Sequence, residues 1–184
     1  MIKLSEFKKY DIYHRENIVL LRDHYKKAVF SPDRQRKAQI YFEYDCQSSG
    51  TFVDFTNKKG ELLQRVQITP WGWSVISKSL GGIQWLDNEK IKIFHIQVER
   101  NDKEADSNTK YYWLISINGE VEYHCTEAEG QNPHLLFELG KRMYEGKMVF
   151  ENKEKGLSLI RQSADLHYKH AQNWLKRNLT MVQQ

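Results

Sequence analysis

The chain has 184 residues, 40% hydrophobic and 12% aromatic, a globular composition that excludes a disordered or low-complexity protein. Its 28 Lys and Arg against 24 Asp and Glu leave a net charge of +4, which permits weak association with nucleic acid or an acidic protein and is too small to establish either. No run approaches the roughly 18 apolar residues of a membrane span, and the first residues lack the uninterrupted apolar stretch of a signal sequence, so a cytoplasmic protein without membrane contact is expected.

Residues 15–29 place Ile18, Leu21, Tyr25, Ala28 and Val29 at helical spacing, which predicts an N-terminal helix ended by the turn Ser31-Pro32-Asp33. A basic connection, Arg34 to Lys37, follows. From Gln39 to Cys125 the period changes to two, predicting an antiparallel sheet. Ile40, Phe42, Tyr44 and Cys46 alternate with polar residues, Phe52 to Phe55 follow a Ser-Ser-Gly turn, and Leu62, Val66 and Ile68 follow Asn57-Lys58-Lys59-Gly60. Residues 73–77 suggest a further strand. Ile91 to Val98 suggests another, with a bulge expected where its inward phase shifts between Ile93 and Phe94. Residues 102–108 are polar and read as a loop.

The sharpest hairpin signal is Tyr111 to Ile117, Asn118-Gly119, and Glu120 to Cys125. Asn-Gly predicts a two-residue type I′ turn. That register puts Tyr112, Leu114, Val121, Tyr123 and Cys125 on one face, read as core. Tyr111, Trp113, Ile115 and Ile117 then share the other face with Glu120, Glu122 and His124. Aromatics mixed with carboxylates suit a protein interface, so Tyr111, Trp113, Glu120, Glu122 and His124 are the expected partner-binding residues. The competing reading of that face is a sheet covered by a docked helix.

Beyond residue 131 the period becomes helical. Leu136, Leu139 and Met143 share a face of a helix from Pro133 to Glu145, with Pro133 in its first turn and Gly146 fit for its C-cap. Gly140 permits close approach of a second helix. Asn152 can cap that helix, which turns Leu159, Ile160 and Ala164 inward. Ala171, Trp174 and Leu175 begin a third. Leu135 and Ala171, like Leu139 and Leu175, stand 36 positions apart, a period typical of stacked helical hairpins. One hairpin cannot bury its face alone, so it must dock on the sheet, on a second copy of the chain, or on a partner.

These residues carry a resemblance. Asn132, Pro133, Leu139, Gly140, Tyr144, Gly146, Val149, Lys155 and Ala164 match the Sel-one-like repeat, a subfamily of tetratricopeptide-like repeats. Leu135 stands where that pattern has Ala, Met148 and His167 where it has Gly, and Gly156 where it has Ala after Lys. The segment resembles a divergent copy with altered turns, covering about a quarter of the chain. The resemblance implies protein binding without naming the partner. The expected organisation is α+β, with residues 1–130 forming an antiparallel-sheet domain and residues 131–184 a helical repeat packed on it.

No catalytic constellation is legible. The seven histidines form no H-E-x-x-H, and no pair of C-x-x-C motifs exists. His167 and His170 lack further ligands. Cys125 beside His124 points to the opposite strand face, and Cys46 and Cys125 read as reduced thiols. Gly81-Gly82 is too short for a phosphate loop. No enzyme activity, metal or cofactor is expected. The leading expectation is an immunity protein that binds a cognate bacterial toxin and occludes it, since some immunity proteins join a few Sel-one-like repeats to a small unclassified domain. An acidic cluster of Glu120, Glu122, Glu127 and Glu129 would offset the overall positive charge at that interface. The alternatives are an adaptor gripping a cellular protein, and, more weakly, a nucleic-acid binder using Arg34, Arg36, Lys37, Lys58 and Lys59.

Overall fold

The computed structural model describes residues 11–15, 18–44, 49–72, 80–95, 111–126 and 132–179. Its described strands form two antiparallel sheets. The first runs in chain order through β1 (Asp11–Arg15), β2 (Ile18–Phe30), β3 (Arg36–Tyr44), β4 (Ser49–Asn57) and β5 (Leu62–Gln67). The second runs through β6 (Leu80–Trp85), β7 (Lys90–His95), β8 (Tyr111–Ser116) and β9 (Val121–Cys125). Helices α1 (Pro133–Glu145), α2 (Lys153–Asp165) and α3 (Lys169–Leu179) follow. The architecture is α+β, as the change of period implied.

The expected N-terminal helix is absent: residues 11–15 and 18–30 are strands. β2 pairs with β3 from Leu21↔Tyr44 to Phe30↔Lys37, with a register shift between Tyr25 and Val29. Helical spacing of apolar residues is a weak prior once a neighbouring strand offers a full ladder. The turn at Ser31 forms as expected. There the Arg34 N–H donates to the Ser31 carbonyl at 2.9 Å, and Arg34 adopts φ 57°.

Alternation holds through β3, β4 and β5. Ala38, Ile40, Val53, Phe55, Val66 and Ile68 are buried in the main core. The opposite face carries a polar clamp: Arg65 reaches Asp54 through Nε and Nη2 at 2.7 and 2.8 Å, and Glu43 through Nη1 at 3.3 Å. The sheets meet where Phe55 packs edge-on against Trp85, whose indole N–H donates to the Val29 carbonyl at 3.0 Å.

β7 keeps one phase, burying Ile91, Ile93 and His95, so the bulge expected at Ile93–Phe94 is not there. It lies across the ladder in β6, where pairing jumps from Leu80↔His95 to Ile83↔Ile93 around Gly81-Gly82. A Cβ on Gly81 would stand 2.7 Å from the Phe94 Cβ, which accounts for a glycine at that bulge. The strand expected at residues 73–77 and the loop at 102–108 lie outside the described residues.

The β8–β9 turn differs from expectation in a way that matters. Only Gly119 has positive φ (96°). Its N–H donates to the Ser116 carbonyl at 3.0 Å, and the Ser116 N–H donates to the Glu120 carbonyl at 3.0 Å. The turn is therefore a type I turn followed by a glycine bulge, not a two-residue type I′ turn. The extra residue sets the register Ile115↔Val121, Trp113↔Tyr123, Tyr111↔Cys125. A one-residue slip exchanges faces, so Tyr111, Trp113, Ile115, Tyr123 and Cys125 point to the core together.

The helices form as read. Asn132 caps α1 by accepting from the His134 and Leu135 amides, Gly146 closes it at φ 65°, and Asn152 accepts from the Lys155 amide to start α2. α1 turns Leu135, Leu136, Leu139 and Met143 into the core shared by both sheets. Its other side, with Phe137, meets Ile160, Ala164 and Ala171 in a second cluster. Gly140 and Gly156 interlock: a Cβ on either would stand 2.8 or 2.6 Å from the other's carbonyl oxygen. The Ser163 hydroxyl donates to the Pro133 carbonyl at 2.5 Å. Met148 and His167 both adopt φ 64°, a left-handed conformation costly for side-chain-bearing residues.

Candidate functional site: a cleft between the second sheet and the helical hairpin

The junction of sheet and helices is built on a buried polar chain. Arg142, in the last turn of α1, donates from Nη1 to the Tyr123 hydroxyl at 3.1 Å. That hydroxyl lies 2.6 Å from His95 Nδ1. The Tyr123 hydroxyl thus joins the Arg142 guanidinium to the His95 ring in one hydrogen-bonded chain. Burial pushes the His95 pKa down to about 4, with the Arg142 charge adding to it. Burial also raises the Tyr123 pKa well above its usual value, against the opposing pull of Arg142. Neither group is set to exchange protons near neutrality. The ring of His95 lies 4.9 Å from that of Trp113, and the Arg142 guanidinium sits 4.5 Å over the Tyr111 ring. The chain therefore fastens α1 to β7, β8 and β9. His95 carried no legible signal, because its partners come from 28 and 47 positions away.

Beside this chain lies a cleft of about 270 Å³. Ile68, Trp113, Val121, Met143 and Val149 supply apolar wall, and Phe150 stands at the mouth, 47% exposed. Glu122, Glu151, Asn152 and Lys155 supply the polar part. Glu122 is held by His124 at 3.0 Å and Lys90 at 3.8 Å, and Glu151 by Lys153 at 3.4 Å. Lys155 is exposed and has no such carboxylate partner among the described residues. The indole N–H of Trp113, a residue with no exposed surface, has no acceptor among the described residues.

Of the five expected partner-binding residues, the structure separates two from three. Tyr111 (2% exposed) and Trp113 (0%) are core, so neither presents a surface. Glu120, Glu122 and His124 lie away from that core, with the His124 ring stacked on Tyr112 at 5.2 Å. The physical reason is the glycine bulge described above. Trp113 and Glu122 meet again only as lining of the cleft. Glu127 and Glu129 of the expected acidic cluster lie outside the described residues. Cys125 is buried and on the opposite face from His124, as adjacent strand residues must be.

The basic residues of the first sheet do gather at one end, since Arg36 pairs with Asn57 across the ladder. Arg36 is spent on the Asn88 carbonyl at 2.9 Å, and Lys37 covers the Phe30 ring at 5.0 Å. The same end carries Asp33, Glu61, Asp87 and Glu89, so it is not a cationic track. Among the described residues no three His, Cys, Asp or Glu side chains gather as metal ligands, and no helix is long and apolar enough to cross a membrane.

The charge is unevenly placed. Residues 132–179 hold 9 Lys and Arg against 5 Asp and Glu, an excess equal to the whole net charge of +4, and the remainder of the chain is balanced at 19 each. Lys155, Arg161, Lys169 and Arg177 are exposed on α2 and α3 with no carboxylate partner among the described residues.

No protein-family model, curated protein or solved structure matches this chain.

Proposed function

We propose that this chain is a protein-binding module, and that it serves as an immunity protein occluding a cognate bacterial toxin. One observation carries the binding reading: the excess of positive charge falls on the helical unit, and four of its exposed cations, Lys155, Arg161, Lys169 and Arg177, have no carboxylate partner among the described residues. Unpaired like charges repel one another, so their concentration on one unit suits an acidic partner surface. Carboxylates of Glu151, Glu154 and Asp165 are interspersed among them, which suits a protein better than a phosphate backbone.

The Sel-one-like resemblance supports the same reading. The capped hairpin falls on the pattern's residues, and Met148 and His167, which stand where the pattern has glycine, keep the left-handed backbone that glycine favours. The immunity role rests on the resemblance in organisation alone. A cationic docking face also narrows the partner. A toxin that grips nucleic acid needs a basic groove, so the covered surface would belong to a toxin of another activity, or lie away from that groove.

The test is co-expression with the product of each adjacent gene, followed by growth and pull-down assays. Protection from one neighbour and a complex with it are expected. Reversing Lys155, Arg161, Lys169 and Arg177 together to Glu should slow association at least about tenfold and flatten its salt dependence. A toxic neighbour that is bound equally well by that variant would place the interface elsewhere. If no neighbouring product is toxic or bound, the adaptor reading replaces immunity.

A further inference from the structure

We propose that Asn118 is a deamidation site gated by the β8–β9 turn: the closed turn protects it, and an opened turn lets it convert irreversibly to isoaspartate, which the turn does not accommodate. This inference rests on the hairpin alone and is independent of the immunity reading.

The chemistry begins in the sequence. Asn118-Gly119 is the only Asn-Gly pair in the chain. Once its proton has passed to a solvent base, the Gly119 amide nitrogen attacks the Asn118 side-chain carbonyl carbon. The ring C–N bond forms, the bond to the side-chain nitrogen breaks, and that nitrogen takes up a proton and leaves as ammonia. Water then opens the succinimide, at one carbonyl to aspartate and at the other to isoaspartate. Water is the only reactant consumed. A glycine in the second place favours the attack, because no Cβ shields its nitrogen. Asn118 is exposed, so solvent base and water reach it.

The folded turn opposes this reaction in two ways. The first is hydrogen bonding. The Gly119 N–H, whose proton must leave, donates to the Ser116 carbonyl at 3.0 Å. Asn118 Oδ1 accepts from the Ser116 hydroxyl and, at 3.2 Å, from the Glu120 amide. The second is torsional. Asn118 is the third residue of a type I turn, which holds its ψ near about 0°. A succinimide ring eclipses Cβ with the following nitrogen, an arrangement incompatible with that ψ. Turn and ring therefore exclude one another, and the reaction waits for the hairpin tip to open.

The product then blocks the way back. Isoaspartate runs the main chain through Cβ and Cγ and so adds an atom between residues 118 and 119. The loop of Ile117, Asn118 and Gly119 sets the register Ile115↔Val121 and Trp113↔Tyr123. The added atom falls where the Gly119 N–H must reach Ser116. Aspartate at the same position keeps the main chain unchanged and still offers an oxygen to Ser116 and Glu120.

The experiment incubates the full chain in mildly alkaline buffer, native and unfolded in urea. Proteolysis and mass spectrometry follow the fragment that holds Asn118, and chromatography resolves isoaspartate from aspartate. The native rate should be at least about tenfold below the unfolded rate, a barrier of about 1.4 kcal/mol that three hydrogen bonds readily supply. Ser116→Ala removes one donor and should raise the native rate at least about threefold, with the rate in urea unchanged. Gly140→Ala strains the helical hairpin instead, where its Cβ meets the Gly156 carbonyl, and should leave the native rate as it was. The isolated isoaspartate form should melt about 2 °C or more below the parent, and Asn118→Asp closer to it. Equal native and unfolded rates, no acceleration by Ser116→Ala, equal acceleration by Gly140→Ala, or an isoaspartate form of parental Tm would each overturn the proposal. Should Ser116→Ala fail to fold, the native rate in low urea decides: a flat rate supports opening of the tip alone, and a rise with the full unfolding slope refutes it.

Discussion

Replacing Gly140 by alanine tests the helical hairpin through the sign of its effect. Within an exposed helix, alanine is favoured over glycine by about 1 kcal/mol, so a Gly140 that touched nothing would become a stabilising site for substitution. In this structure the new Cβ would stand 2.8 Å from the Gly156 carbonyl oxygen and from Ile160 Cγ1, and 3.1 Å from the Ile160 amide nitrogen. Two of these three contacts are backbone, which cannot rotate away. Relief requires α1 and α2 to separate, loosening Ile160 and Ala164 in the second cluster. Overpacking of this kind costs about 1–3 kcal/mol. Set against the propensity gain, Gly140→Ala should lose up to about 2 kcal/mol and Gly140→Leu about 3 or more. For a chain of this size each kcal/mol lowers Tm by about 2–4 °C. Urea unfolding followed by circular dichroism measures the change. Because Gly156 abuts the same point, Gly140→Ala with Gly156→Ala should cost less than the two single losses added together, since helices already separated by one methyl have room for the other. A Gly140→Ala protein more stable than the parent would refute the interlocked hairpin.

Three further outcomes follow from the same geometry. Met148→Gly and His167→Gly should each stabilise by about 0.5–1 kcal/mol, because relief of the left-handed backbone outweighs the added flexibility of the unfolded chain; a loss at both would show that their side chains pack usefully. His95 is held neutral when folded, with its pKa down at about 4 against 6.5 unfolded. The unfolded chain therefore takes the proton first, so stability contributed above pH 6.5 falls as pH drops towards 4, by about 3 kcal/mol at most. His95→Gln should flatten the pH dependence of the urea midpoint across that window, and an unchanged slope would assign it to other groups. Trp113→Ala should cost about 3–5 kcal/mol of folding stability, as truncation of a fully buried aromatic, and a protein of parental Tm would contradict the assigned β8–β9 register.

The legibility of the chain divided along the reach of its interactions. The bounds of α1 and the start of α2 were readable because Pro133, Gly146 and Asn152 act locally, each on backbone within a turn of itself, whereas α3 begins at Lys169, two residues before the Ala171 expected to open it. The sheet was readable as a pattern from Ile40 to Ile68 but not at residues 15–29, where the same apolar residues satisfy two periods and only the partner strand decides. The expected binding face failed for a single reason. Asn118-Gly119 predicts a two-residue turn, whereas the loop is the three residues Ile117, Asn118 and Gly119, with Gly119 as its bulge. That miscount by one turned Trp113 from core to surface and joined it to Glu122. The pairing of Glu43 and Asp54 on Arg65, and of His95 on Tyr123, left no local trace, because each spans strands far apart in sequence.

The placement of charge separates what folding needs from what it does not. The cations of α1 are committed: Lys141 lies 3.9 Å from Glu145, and Arg142 is bound to the Tyr123 hydroxyl. Removing Arg142 would leave a buried hydroxyl–imidazole pair without its donor and α1 without its polar tie to the sheet. On α2 and α3 four cations differ. Lys155, Arg161, Lys169 and Arg177 are exposed and hold no carboxylate among the described residues, and exposed surface charges contribute little to folding. Their neutralisation should therefore leave folding stability unchanged within about 0.5 kcal/mol, or raise it slightly. The same four residues should control association with an acidic partner. A substitution set that alters binding while leaving Tm where it was is the signature of a surface kept for recognition, and it would separate the helical unit's outer face from its glycine-locked interior.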